Sequence, residues 1–104
     1  MTHPTLVRAI EVFGVDAQED QAIEEFSELI KAIIKFRKSG RFNSMLRDEL
    51  FEEIADAKIM IAQLQHIYEC KGVVNGHIRY KLQKLKHKIN LKEEYALEGE
   101  DGEE

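Results

Sequence analysis

Two stretches of the chain decide its fold: residues 17–38 read AQEDQAIEEFSELIKAIIKFRK, and residues 44–69 read SMLRDELFEEIADAKIMIAQLQHIYE. In both, apolar side chains recur every three or four positions, which is the spacing of one face of an α-helix. Asp16 is predicted to cap the helix over residues 17–38, and Gly40 suits its end. Asn43 suits the cap of the helix over residues 44–69. The sequence therefore predicts two long helices, and the short connection favours an antiparallel hairpin.

Two further helices are predicted on either side of this hairpin. The first covers residues 4–13, with Pro4 in a first-turn position and Gly14 as the stop. The last covers about residues 76–91, and its apolar positions are expected to face inward: Ile78, Leu82, Leu85 and Ile89. No stretch shows β alternation, so the predicted class is all-α with four helices.

Composition places the chain among small helical proteins. Its length of 104 residues predicts one domain, and its 43% hydrophobic and 34% charged residues are ordinary for a soluble helical protein. The single cysteine, Cys70, excludes an intrachain disulfide. No apolar run approaches the roughly 20 residues of a membrane span, and no signal peptide is visible at the start, so a cytoplasmic protein is expected. Residues 1–95 are predicted to form the helical domain, and residues 96–104 an acidic, disordered tail.

Charge is distributed unevenly around a net value of −5. Residues 11–28 contain no Lys or Arg, and their acids are Glu11, Asp16, Glu19, Asp20, Glu24, Glu25 and Glu28. Residues 71–92 contain no acid, and their basic residues are Lys71, Arg79, Lys81, Lys84, Lys86, Lys88 and Lys92. Separation of charge on this scale favours a protein that handles charged ligands.

Two pairs of acids lie in the two long helices. Glu25 and Glu28 are three positions apart, as are Glu53 and Asp56, so each pair lies on one helical face. The two pairs are about equally far from the turn at residues 39–43. An antiparallel hairpin would therefore bring all four carboxylates together.

The position of these acids around each helix indicates a metal site. On a helical projection Glu53 falls inside the apolar face of its helix, while Asp56 and Glu25 lie at the edges. An acid on the core side is costly unless it is paired or bound to a cation, and converging carboxylates raise one another's pKa. Hard divalent ions prefer oxygen ligands, so the pattern favours a Mg²⁺ or Mn²⁺ site. Acids at this spacing are also common on solvent-exposed helix faces, where they bind nothing. Glu24 fits such a face as well as it fits a functional site.

The pattern Glu-Glu-x-x-Glu, about 25 residues, then Glu-x-x-Asp resembles the signature of the all-α nucleoside triphosphate pyrophosphohydrolase superfamily, which includes MazG-like proteins and dimeric dUTPases. Residues 53–64, EIADAKIMIAQL, resemble the short MazG-like proteins of bacteria and their phages. The resemblance covers roughly residues 5–90. It implies a four-helix, MazG-like antiparallel bundle completed by oligomerisation, and hydrolysis of an NTP or dNTP to the monophosphate and pyrophosphate.

The same resemblance implies roles for individual residues. The metal ligands would be Glu25, Glu28, Glu53 and Asp56. Glu24 matches the first acid of the motif and could orient water.

In the last helix, Lys81 and Lys84 would meet the substrate phosphates. The family carries Arg at the second of these positions, so Lys84 keeps the charge but loses bidentate geometry. A basic helix is also often just a solvent-exposed face. For Lys81 and Lys84, the alternative that they face solvent and bind no phosphate therefore stays open.

Expected partners are a nucleoside triphosphate and further copies of the chain, as a homodimer or homotetramer. Two other classes of protein remain open. A helical nucleic-acid-binding module would use the basic last helix on phosphates, although the negative net charge argues against it. A non-catalytic oligomeric scaffold is also compatible with the sequence, although the four acids of the motif are all present.

Overall fold

The computed structural model describes residues 2–102, with the side chains of residues 2–98, and over this range it contains four α-helices and no strand. The helices are α1 (Pro4–Phe13), α2 (Val15–Lys38), α3 (Ser44–Ile67) and α4 (Lys71–Gly102). The predicted all-α class with four helices is thereby confirmed. The chain divides into two compact units, Met1–Glu69 with α1 to α3, and Cys70–Glu104 with α4.

A single glycine separates α1 from α2. Gly14 has φ 93°, a conformation that favours glycine, and it both ends α1 and caps α2. The predicted start of α2 near Ala17 with an Asp16 cap is therefore wrong. The helix begins at Val15, because the chain returns to helical geometry directly after Gly14. Asp16 lies in the first turn instead, where its charge complements the helix dipole.

The turn between α2 and α3 is short and well bonded. Gly40 and Arg41 both have positive φ, at 77° and 65°, and the backbone N–H of Arg41 donates to the Phe36 carbonyl at 3.1 Å. The side chain of Asn43 accepts a hydrogen bond from the Leu46 N–H at 3.1 Å, so the predicted cap of α3 is confirmed.

The two long helices run antiparallel. Glu19, near the start of α2, accepts a hydrogen bond from the hydroxyl of Tyr68, which directly follows α3. At the other end, residues of α2 and α3 line one cavity together: Glu28, Lys31, Ala32, Lys35, Glu49, Glu52 and Glu53. Small side chains dominate the buried apolar set and allow the helices to approach closely: Ala22, Ala32, Ala57 and Met60.

Helix α1 packs against both members of the hairpin. The Gln63 side chain, only 2% exposed, donates from Nε2 to the Leu6 carbonyl at 3.3 Å and so ties α3 to α1. Its Oε1 is buried without a hydrogen-bond partner in the described part of the chain. These contacts fix α1 beside the end of the hairpin that lies away from the turn.

Helix α4 is longer than its predicted range of 76–91 at both ends. It continues to Gly102 and so covers residues 96–102 of the segment predicted as a disordered tail, while residues 103–104 lie outside the described range. None of the described helices is long and apolar enough to cross a membrane.

The predicted inward face of α4 is exposed in the single chain. Its four apolar side chains are between 47% and 58% exposed: Ile78, Leu82, Leu85 and Ile89. The expectation that they face inward is therefore wrong for one copy of the chain. Periodicity identifies an apolar face but not the surface that covers it.

Candidate metal centre

Three acids from the two long helices meet at one point of the hairpin. Glu25 comes from α2, and Glu53 and Asp56 come from successive turns of α3. One carboxylate oxygen from each lies within 4.8 Å of the other two, and all three residues are half-buried. The antiparallel register produces this meeting, and the buried Ala22 and Ala57 leave room for close approach of the helices. This acidic triad joins one member of the first predicted pair to both members of the second.

Glu53 has the most unfavourable surroundings of the three. Its Oε2 is buried and has no hydrogen-bond partner among the described residues. The pKa of its carboxyl is raised above the usual 4.5, and burial is the largest cause. The further causes, in decreasing order, are the negative charges of Asp56, Glu25, Glu28 and Glu52. A carboxylate without a donor, facing other carboxylates, is stabilised by a proton or by a cation.

Glu28 lies beside the triad rather than in it. Its Oε1 is 3.3 Å from the Lys31 Nζ, and the two form an ion pair on adjacent turns. Glu28 also lines a cavity of about 90 Å³ together with Glu53. The structure therefore brings three of the four predicted ligands together and places the fourth next to them.

Glu24 is exposed on α2. It is not one of the acids whose oxygens meet in the triad. Its predicted role in orienting water stays a prediction.

Two lysines that the sequence prediction did not single out line the same cavity. Lys31 and Lys35 face it from α2, opposite Glu49 and Glu52 of α3. Their spacing of three and seven positions from Glu28 was visible in the sequence and could have identified them. They place positive charge next to the triad.

Glu25 is held by a neighbour that the sequence prediction also missed. The Gln21 Nε2 donates to the Glu25 Oε1 at 2.7 Å, one helical turn earlier on α2. A hydrogen bond of this kind orients a ligand carboxylate and leaves its second oxygen for a cation.

Lys81 and Lys84 belong to α4, in the second compact unit. Both are exposed, and the Lys84 Nζ lies 5.6 Å from the centre of the Tyr80 ring, within the range of a cation–π contact. Their predicted contact with substrate phosphates stays a prediction.

Comparison of the chain with protein-family models, with characterised proteins and with solved structures gave no significant match.

Proposed function

We propose that this chain is a Mg²⁺-dependent nucleoside triphosphate pyrophosphohydrolase, with Mn²⁺ as an alternative ion. It would hydrolyse an NTP or dNTP to the monophosphate and pyrophosphate. The observation that carries the proposal is the triad of Glu25, Glu53 and Asp56, in which the Glu53 Oε2 is buried without a partner. The resemblance of the acid motifs to MazG-like enzymes supports the same activity.

The donor set fits a hard divalent cation. All three groups are carboxylates, and Mg²⁺ is typically held by a few carboxylates together with water and substrate phosphates. An ion bound there would neutralise phosphate oxygens and lower the pKa of a water molecule that attacks phosphorus. The crowded negative charge around Glu53 gives the site a physical reason to bind a cation.

The remaining side chains supply orientation and positive charge in this proposal. Gln21 holds Glu25, and Glu28 supports the triad from the adjacent turn. Lys31 and Lys35 lie in the cavity that Glu53 lines, where they would stabilise negative charge on the phosphates.

Two further roles rest on the sequence resemblance. Lys81 and Lys84 would add positive charge at the phosphates from α4. Glu24 would orient water.

Oligomerisation is part of the proposal. We infer a homodimer or homotetramer in which copies of the chain complete a MazG-like antiparallel bundle. The half-exposed apolar face of α4 supports this, as do Ile23 and Ile30 of α2, which are 66% and 60% exposed.

The decisive experiment measures pyrophosphate release from a panel of NTPs and dNTPs, with Mg²⁺, Mn²⁺ or EDTA. Glu53→Gln is expected to lower the metal-dependent rate by more than about 100-fold, since it removes a ligand rather than an outer partner. Glu93→Gln on the exposed surface of α4 is the matched control and should keep the wild-type rate. Circular dichroism confirms that both variants are folded.

Either of two results would count against the enzyme. Cleavage of no nucleotide under any metal would favour the non-catalytic scaffold. Metal-independent binding of DNA or RNA with a steep salt dependence would favour the nucleic-acid-binding module.

A further inference from the structure

We propose that a groove at the junction of α1 and α2 binds the nucleobase of the substrate. The groove has a volume of about 390 Å³ and is lined by Phe13, Ala17, Gln18 and Gln21. It lies within the compact unit that contains the acidic triad. The inference rests on the proposed function, because it assigns the base of the same nucleotide whose phosphates would lie at the triad.

Gln18 is the first reason. The residue is only 8% exposed, and among the described residues its carboxamide has no hydrogen-bond partner. The polar atoms of this carboxamide are not fully enclosed, so they reach solvent and are available to a ligand. Gln18 lines the groove, so a ligand there can bond to both its donor and its acceptor.

The second reason is the character of the lining. Phe13 is 65% exposed and offers an aromatic ring at the groove. Aromatic side chains stack on every nucleobase, because each base has a π face. None of the four lining residues carries a charge, so the groove suits a neutral flat ring better than a phosphate.

The third reason is that one side chain connects the groove to the triad. Gln21 lines the groove, and it also donates a hydrogen bond to Glu25 of the triad at 2.7 Å. Gln18 and Glu25 are two helical turns apart, about 10 Å along the axis of α2. A nucleotide with its phosphates at the triad can extend along α2 and place its base against Gln18 and Phe13.

The ligand class follows from this chemistry. A carboxamide pairs with a ring edge that carries a donor next to an acceptor, as glutamine does with adenine. The groove would therefore take a base with such an edge, stacked on Phe13. Ribose and phosphate would lie between the groove and the triad.

The test separates the base from the phosphates. Isothermal titration calorimetry with Ca²⁺, to prevent turnover, compares the best nucleotide of the activity panel with inorganic triphosphate, which has no base. Phe13→Ala is expected to weaken nucleotide binding at least about fivefold, the lower end for loss of one stacked base. Gln18→Leu is expected to weaken it at least about twofold, the lower end for loss of one hydrogen bond. Binding of inorganic triphosphate should stay unchanged.

Two controls keep the result interpretable. Phe42→Ala removes a ring that is 91% exposed and is not part of the groove, so it should bind nucleotide like the wild type. Gln18→Leu should melt close to the wild-type temperature, because the carboxamide has no hydrogen-bond partner among the described residues and leucine has a similar volume. If Gln18→Leu fails to fold, Phe13→Ala decides the result alone.

The outcomes distinguish the two proposals. Nucleotide hydrolysis that depends on Glu53, with undiminished binding in both groove variants, would overturn the base site and leave the enzyme standing. A Phe13→Ala variant that changes only the oligomeric state would also overturn it and mark the groove as a contact between subunits. A wild-type protein that binds neither probe would overturn both proposals.

Discussion

Glu53 shows how one side chain couples the stability of the fold to the proposed activity. Its raised pKa means that the folded chain holds the Glu53 proton more tightly than the unfolded chain does. The stability contributed by this group is therefore fully present below the unfolded pKa, near 4.5, and is lost as pH rises through the higher folded pKa. At neutral pH the ionised group opposes folding unless a cation compensates.

The raised pKa of Glu53 predicts a pH dependence of the melting temperature that the Glu53→Gln variant should lack. In EDTA, the melting temperature of the wild type is expected to fall relative to Glu53→Gln as pH rises from 4.5 toward neutrality. Glu53→Gln should melt higher than the wild type at pH 7, because the variant carries no charge at this position. Adding Mg²⁺ should raise the wild-type melting temperature and have a much smaller effect on the variant. Parallel pH profiles for the two proteins, measured by circular dichroism, would contradict this account of Glu53.

At the scale of the elements, the α2–α3 hairpin positions the triad. Its buried alanines keep the two helices close enough for carboxylates on opposite helices to meet. Ala57 is 4% exposed and directly follows Asp56, so the packing of this residue and the geometry of the site are coupled.

Ala57→Leu is expected to separate the helices and weaken the site. Overpacking of a close contact typically costs about 1–3 kcal/mol, so the free energy of unfolding in urea should fall by that amount. Ala55→Leu is the matched control, because Ala55 is exposed on the same helix and its substitution should change stability little. The Ala57 variant should also lose Mg²⁺-dependent thermal stabilisation, while the control keeps it. Equal stability of the two variants would show that close approach at Ala57 does not hold the hairpin together.

At the scale of the whole molecule, one copy of the chain covers little of its apolar surface. Among the described residues, the buried apolar set is Ala22, Ala32, Ala57 and Met60. Much larger side chains are exposed on every helix, including Phe51 at 57% and Leu82 at 58%. Exposed apolar surface on this scale favours association, because burying it against another copy removes it from water.

Self-association is therefore expected to contribute to stability. Sedimentation velocity should show a dimer or tetramer, and the melting temperature should rise with protein concentration. Leu82→Glu should shift the distribution toward the monomer and lower the melting temperature, since it places a charge in the apolar face of α4. Glu93→Gln, on the exposed surface of the same helix, should leave both measurements unchanged. A monomer whose melting temperature is independent of concentration would contradict the proposal.

Several features of the fold could be predicted from local patterns. The four helices, the Asn43 cap and the Gly14 stop follow from apolar periodicity and from residues that suit helix ends. The start of α2 was misplaced because Gly14 serves two helices at once. The length of α4 was underestimated because its apolar stripe ends near Ile89, whereas the backbone remains helical beyond it.

The sequence by itself determined the class of the fold and the two acid pairs, because both depend on spacing within single helices. Only the tertiary structure decided that Glu25 meets Glu53 and Asp56 while Glu28 pairs with Lys31. It also decided that Gln18 is buried at a groove and that Gln21 connects this groove to Glu25. The physical reason is that helical periodicity sets which side chains share a face, whereas the rotation and register of two packed helices depend on side-chain contacts between them.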